Sequence, residues 1–206
     1  MSKKIAFTLA EVLLTMTLVG VVAAMTIPTL HYNKAKKEYT AKIKNFYSRM
    51  NNAVLDMELD KGSFRYMVKP VSNTQCVNWY MENIDPYYGH QYIENNSNII
   101  FKDGSMLIIA DGNGSCMDVY YDVNAFKGPN RWGYDRFTFL YCFDDVNRTT
   151  WFGNKDIFFG IYGANHTSTT TTRAQMISQC KSSPSYCTRL LQNDQWEFKD
   201  DYPFRF

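Results

Sequence analysis

The chain has 206 residues, 45% of them apolar and 20% charged, with a formal charge of +2. This length and apolar share exclude a disordered chain and provide for one core-bearing domain with something extra attached. Basic side chains cluster only locally. Six lie in residues 31–50 against the single Glu38, while residues 62–206 carry 13 basic against 15 acidic groups, so no duplex nucleic acid partner is expected.

Residues 7–30 contain one ionisable side chain, Glu11. As a helix this run reaches about 36 Å, enough to cross a hydrocarbon core of about 30 Å. Its Thr8, Thr15, Thr17 and Thr26 break the apolar surface at little cost, because a threonine hydroxyl can return to a carbonyl of the preceding turn. Glu11 is different. A carboxylate at the centre of a membrane helix costs roughly 2.5–3.5 kcal/mol, and less near an interface. It therefore either takes a partner or sits solvated at the headgroup level. If residues 1–6 were removed, the new amino group of Phe7 would lie four residues away and could pair with the Glu11 of a neighbouring molecule.

Pro28 removes a backbone donor and clashes one turn back, which predicts a kink or an opening near Ala24. With Gly20 it brackets a weak stretch.

Lys3-Lys4, the run Ala6-Phe7-Thr8-Leu9-Ala10-Glu11 and the apolar segment after it resemble the leader and N-terminal helix of type IV pilins and type II secretion pseudopilins. In that family a prepilin peptidase cuts before an apolar residue and methylates the new N-terminus. A Glu is then fifth in the mature chain, as Glu11 is counted from Phe7, and Gly20 and Pro28 fall where many members carry a helix-weakening Gly and Pro. Ala6 departs from the Gly usual before the cut. The resemblance implies cleavage between Ala6 and Phe7, methylation of Phe7 and assembly through Glu11. It also implies residence in the bacterial inner membrane before incorporation into a pilus or pseudopilus, with homotypic or heterotypic pilin subunits as partners. Residues 1–6 would be the leader and residues 7–30 the membrane and filament-core helix.

Between residues 31 and 61, Tyr39, Ile43, Phe46, Met50, Val54 and Met57 fall on one helical face until Gly62 supplies a stop. This predicts an amphipathic stem continuous with the span and packed on a head formed by residues 62–206. The lysines early in the stem outnumber those of the leader, which by charge bias alone argues for a cytoplasmic head. The leader pattern and the placement of all five cysteines beyond residue 75 argue for a head outside the cytoplasm. There the lysines meet anionic headgroups, acidic side chains of adjoining subunits, or water.

The head reads as antiparallel β with short helices. Strands are expected at residues 99–101, 105–110, 116–123, 137–143, 157–162 and 196–199, and helical turns interrupted at Pro184 between residues 173 and 192. The expected fold is α+β and pilin-like, a long helix laid across one antiparallel sheet. Cysteine connectivity is open except for Cys180 and Cys187. These flank a turn-prone insert and could close a small loop in an oxidising compartment. The C-terminal region carries the run Asp201-Tyr202-Pro203-Phe204.

Motifs for catalysis are missing from the sequence, with no Walker loop, GxSxG elbow or HExxH run. His31, His90 and His166 are scattered, and Cys116 or Cys142 is a nucleophile only with a distant histidine. No enzyme and no obligatory cofactor are expected. An EF-hand frame on Asp111, Asn113, Ser115 and Asp122 fails, because Cys116 stands where glycine is needed. Asp122, Asn124 and Asp135, around Gly128-Pro129-Asn130, offer hard oxygens for Ca2+; the other reading is that they cap turns. The alternative to a filament subunit is a domain exported by the general secretory route, with Lys3-Lys4 as charged region and cleavage after Val22-Ala23-Ala24, leaving Met25 first.

Overall fold

The computed structural model describes residues 8–112, 114–163 and 171–204. One helix, α1 (Leu9–Lys61), takes 53 residues, about 80 Å at the usual rise. Its start is fixed by Thr8 and its end by Gly62, which adopts φ 92° and returns its N–H to the Glu58 carbonyl. The expected stripe is where the head attaches. Ile43, Phe46, Met50, Val54 and Met57 are 0–4% exposed, with Tyr39 half-buried beside them.

A 3-10 turn at Phe64–Tyr66 leads to α2 (Asn73–Asn83) and α3 (Asp85–Tyr88). Six strands follow: β1 (Tyr92–Glu94), β2 (Asn98–Ile100), β3 (Met106–Ala110), β4 (Cys116–Asp122), β5 (Arg136–Cys142) and β6 (Phe159–Ile161). They form one antiparallel sheet in chain order. Helix α4 (Asp145–Phe152) interrupts the last connection, and α5 (Arg173–Ser182), a 3-10 turn at Pro184–Tyr186 and α6 (Cys187–Asn193) complete the head.

Alternation along β4 and β5 sorts their side chains between two faces. Met117, Val119, Tyr121, Phe137, Phe139 and Tyr141 join the main core with the stem. Phe46 stacks on Tyr121 with centroids 4.0 Å apart and meets Phe139 edge-on at 5.2 Å, so the aromatic wealth of the sequence largely lies between helix and sheet. On the opposite face Cys116, Leu140, Cys142 and Phe152 make a smaller cluster beneath α4.

One expectation is corrected. Residues 196–199 are not a strand. Gln195 and Trp196 take φ 59° and 67°, and the Trp196 N–H bonds the Leu191 carbonyl at 2.6 Å. Trp196 and Phe198 are buried by a turn off the end of α6, and such a turn produces the same apolar alternation as a half-buried strand. The sheet instead gains β1, whose Tyr92 and Ile93 stay exposed at its edge. The kink or opening expected near Ala24 does not break the helix: α1 remains helical through Gly20 and Pro28.

Candidate functional site: a bare helix on a stapled head

The N-terminal stretch of α1 is left outside the core of the head. Leu9–Ile27, 19 residues with mean hydropathy 2.0, is 0% buried over its most apolar stretch. Leu9, Met16, Val19 and Met25 are 66–80% exposed. The polar groups within it are satisfied internally. Thr15 donates to the Val12 carbonyl at 2.9 Å, Thr17 to that of Leu13 at 3.0 Å and Thr26 to that of Val22 at 2.9 Å.

Glu11 has a role that was legible in the sequence as Thr-x-x-Glu but was not read there. Its Oε2 accepts the Thr8 N–H at 2.8 Å and the Thr8 hydroxyl at 2.9 Å, while the Glu11 N–H donates to Thr8 Oγ1 at 3.3 Å. This is a capping box, in which two orphan amides of the helix start are satisfied reciprocally. It turns the carboxylate back toward the residue that follows Phe7. Ala6 and Phe7, the implied cleavage and methylation sites, lie outside the described residues, as does His166.

Disulfides staple the head. Cys180 and Cys187 are bonded as their local spacing allowed. A second bond joins Cys116 to Cys142, which face one another across β4 and β5. The signal for this pair was available: two adjacent antiparallel strands, one beginning and the other ending in cysteine. The bond consumes both thiols that a cysteine nucleophile would have required. Cys76 is free and buried, and burial pushes its thiol up to about 11, far from the thiolate form that reacts.

The calcium candidates are gathered in one loop. Asp122 accepts Arg136 Nε at 2.8 Å and the Asn124 N–H at 3.1 Å. Asp135, 0% exposed, accepts the N–H groups of Asn130 at 2.8 Å and Arg131 at 2.6 Å. Asn124 donates to the Tyr39 hydroxyl at 2.9 Å, tying the loop to the stem. Burial raises the Asp122 carboxyl above its ordinary value, with Arg136 holding it back. The Asp122 and Asp135 oxygens are engaged by N–H donors and hold turns together, while Asn124 Oδ1 is buried with no hydrogen-bond partner among the described residues. Among the described residues no cluster of three His, Cys, Asp or Glu side chains is placed to hold a metal ion.

The remaining polar constellations also tie elements to one another. Arg173 at the start of α5 donates to both oxygens of Asp194, at 2.7 and 2.9 Å, and to both of Asp201, at 2.6 Å each. The Tyr202 hydroxyl donates to the Gly133 carbonyl at 2.5 Å. Gly133 takes φ 75°, and a Cβ there would lie 2.7 Å from Cys187 Sγ and from Phe204, so only glycine lets the C-terminal segment dock this closely. Arg148, wholly buried, donates to the Phe143 carbonyl at 2.9 Å and pairs with Asp145. His90 bonds Asp85 at 2.8 Å beside a pocket of about 230 Å3 lined by Arg49, Tyr88, Lys102 and Asp103.

The molecule is thus an α+β protein with an exposed apolar N-terminal helix and a disulfide-bonded six-stranded head. That combination suggests membrane anchoring or export beyond the cytoplasm, and it is compatible with a pilin-like architecture. The chain belongs to DUF6613, a family of unknown function, whose profile matches residues 29–206. The match covers the stem and head and stops short of Leu9–Ile27. No curated protein and no solved structure matches the chain.

Proposed function

We propose that the chain is a structural, non-enzymatic subunit of a type IV pilus or type II secretion pseudopilus. Prepilin peptidase cleaves it before Phe7, the inner membrane holds it through the apolar half of α1, and that half then bundles with pilin subunits of the same or another kind. The observation that carries this reading is the division of one unbroken helix into two halves of opposite fate. Ile43, Phe46, Met50, Val54 and Met57 are sealed into the head, while Leu9–Ile27 carries its apolar side chains exposed, with none of its most apolar stretch buried. Such a surface needs lipid or other helices around it, and in lipid the gain on association comes from packing rather than from the hydrophobic effect.

In this reading Glu11 meets the amine of an incoming subunit and fixes its axial offset. The weak stretch between Gly20 and Pro28 is helical in the single chain, and in this reading it loses helical hydrogen bonds only in the packed filament. Glu11→Ala removes the charge and the carboxylate half of the capping box, leaving Thr8 Oγ1 to accept the backbone N–H of residue 11. Glu11→Gln retains a side-chain acceptor for Thr8 and removes only the charge. Both variants should insert in the membrane and fail to assemble. Normal filament yield from Glu11→Gln would rule out the charge pairing. N-terminal mass spectrometry of the mature protein tests the processing: a methylated Phe7 agrees with the proposal, whereas a chain starting at Met25 means secretory cleavage and a soluble exported domain.

A further inference from the structure

A cluster of lysines sits where α1 leaves its apolar run. Lys34, Lys36 and Lys37 lie within two turns of Leu30, the last apolar residue of that run, and Glu38 is the acid among them. Leu30, Lys34 and Lys37 follow one another at i, i+4 and i+7, so they share one helix face. All three are exposed, and with Glu38 they line a single shallow open cleft. Glu38 leans toward Lys42, its carboxylate 3.4 Å from that ammonium. Lys42 itself also donates to the Val123 carbonyl at 2.9 Å, so it serves the junction of stem and head.

Depth separates these lysines from the others on the stem. Measured along the helix from Leu30, Lys34 stands about 6 Å higher and Lys37 about 10 Å, whereas Lys44 stands about 21 Å higher. The headgroup layer of a bilayer is roughly 5–7 Å thick on each side of the hydrocarbon, and lysine stems bend several ångströms along a helix to bring the ammonium to that level. Lys34 and Lys37 reach it, and Lys44 does not.

The placement also runs against the usual charge bias. Two disulfides fit a head in an oxidising compartment, which puts these lysines on the translocated flank where positive charge is normally scarce. At that depth the abundant anion is the lipid headgroup phosphate.

We infer that Lys34 and Lys37, seated on Leu30, bind the headgroup phosphate of an anionic phospholipid in the outer leaflet, holding the stem at a fixed height before assembly. This rests on Leu9–Ile27 spanning the membrane and is independent of the filament itself. The contact is electrostatic and lies near the surface, so salt weakens it.

The test uses the full chain in vesicles of equimolar phosphatidylglycerol and phosphatidylcholine, each carrying a trace of spin-labelled lipid of one headgroup. The fraction of motionally restricted label reports which lipid the protein retains. Phosphatidylglycerol should be enriched severalfold. The double variant Lys34→Gln with Lys37→Gln should lower that enrichment, on the order of fivefold per lysine at most. Salt near 1 M, where screening shortens to about 3 Å, should do the same, and Lys44→Gln should leave it unchanged. Equal restriction of both lipids by the native chain, or an equal loss in Lys44→Gln, overturns the inference. So does a double variant that keeps its lipid preference but loses crosslinks between copies, which would give the lysines to a neighbouring subunit. A chain that fails to float with vesicles overturns the membrane span and the inference together, whereas a vesicle-bound chain without headgroup preference overturns the inference alone.

Discussion

Arg173 shows how much of the head's organisation hangs on single side chains. Its guanidinium meets two carboxylates 21 and 28 residues further along, one buried and one exposed. Burial alone would raise the Asp194 carboxyl, but the bonds and charge of Arg173 outweigh it and the carboxyl is held below its ordinary value. The bonds from Arg173 lower Asp201 in the same direction. Groups with depressed folded values stabilise the fold above the unfolded carboxylate value near pH 4, and that contribution disappears as pH falls below it. Thermal unfolding at pH 7 and pH 3 should therefore show a loss of stability on acidification that is smaller in Arg173→Gln than in the native chain. Asp118 and Asp122 are shifted upward by burial and act in the opposite sense, so the difference between the two proteins isolates the Arg173 contribution. At pH 7 the substitution should cost about 2 kcal/mol, reduced from the value for a fully buried pair because Arg173 is partly exposed.

At the scale of elements, the two disulfides constrain different lengths of chain. Cys116 and Cys142 are 26 residues apart and Cys180 and Cys187 only 7. On the loop-entropy argument the longer closure contributes about 3.5 kcal/mol and the shorter about 2.4 kcal/mol. Replacing Cys116 and Cys142 by Ser should lower the denaturant midpoint more than replacing Cys180 and Cys187, measured at one pH under non-reducing conditions. The reverse order would mean that the α5–α6 corner, where Gly133 and Phe204 close against Cys187, is where the head yields first. How far each element was legible follows from the range of the contacts that define it. The stem stripe and the hairpins depend on spacings of a few residues and were read correctly. The supposed last strand was misread because Trp196 and Phe198 satisfy their burial against a core that sequence alternation does not show. Among the polar groups, the Thr8 and Glu11 capping box was local and readable, whereas the Arg173 fork joins residues that only the packing of α5 against the C-terminal segment brings near.

For the whole molecule, the decisive feature is that one helix serves two environments. Among the described residues, the most apolar stretch of Leu9–Ile27 contributes no buried side chain to the head, and the core residues of α1 begin at Ile43. A chain beginning at Lys34 should fold, form both disulfides and unfold within a few degrees of the full protein in detergent. Its near-ultraviolet circular dichroism should match, since Phe46, Tyr121, Phe139 and Tyr141 all stay in place. A truncated head that is molten would mean that α1 needs its first half to hold the stem in register on the sheet.

The sequence by itself determined the membrane-length apolar run, the amphipathic stem, the antiparallel character of the head and the local disulfide, because each is written in charge, periodicity or short spacing. Tertiary structure decided which cysteine faces Cys116, how the Asp122 and Asp135 oxygens are engaged, and that Trp196 enters a turn. Those outcomes depend on strand register and on groups far apart in the chain, and a contact between distant residues has no local periodicity by which a sequence could announce it.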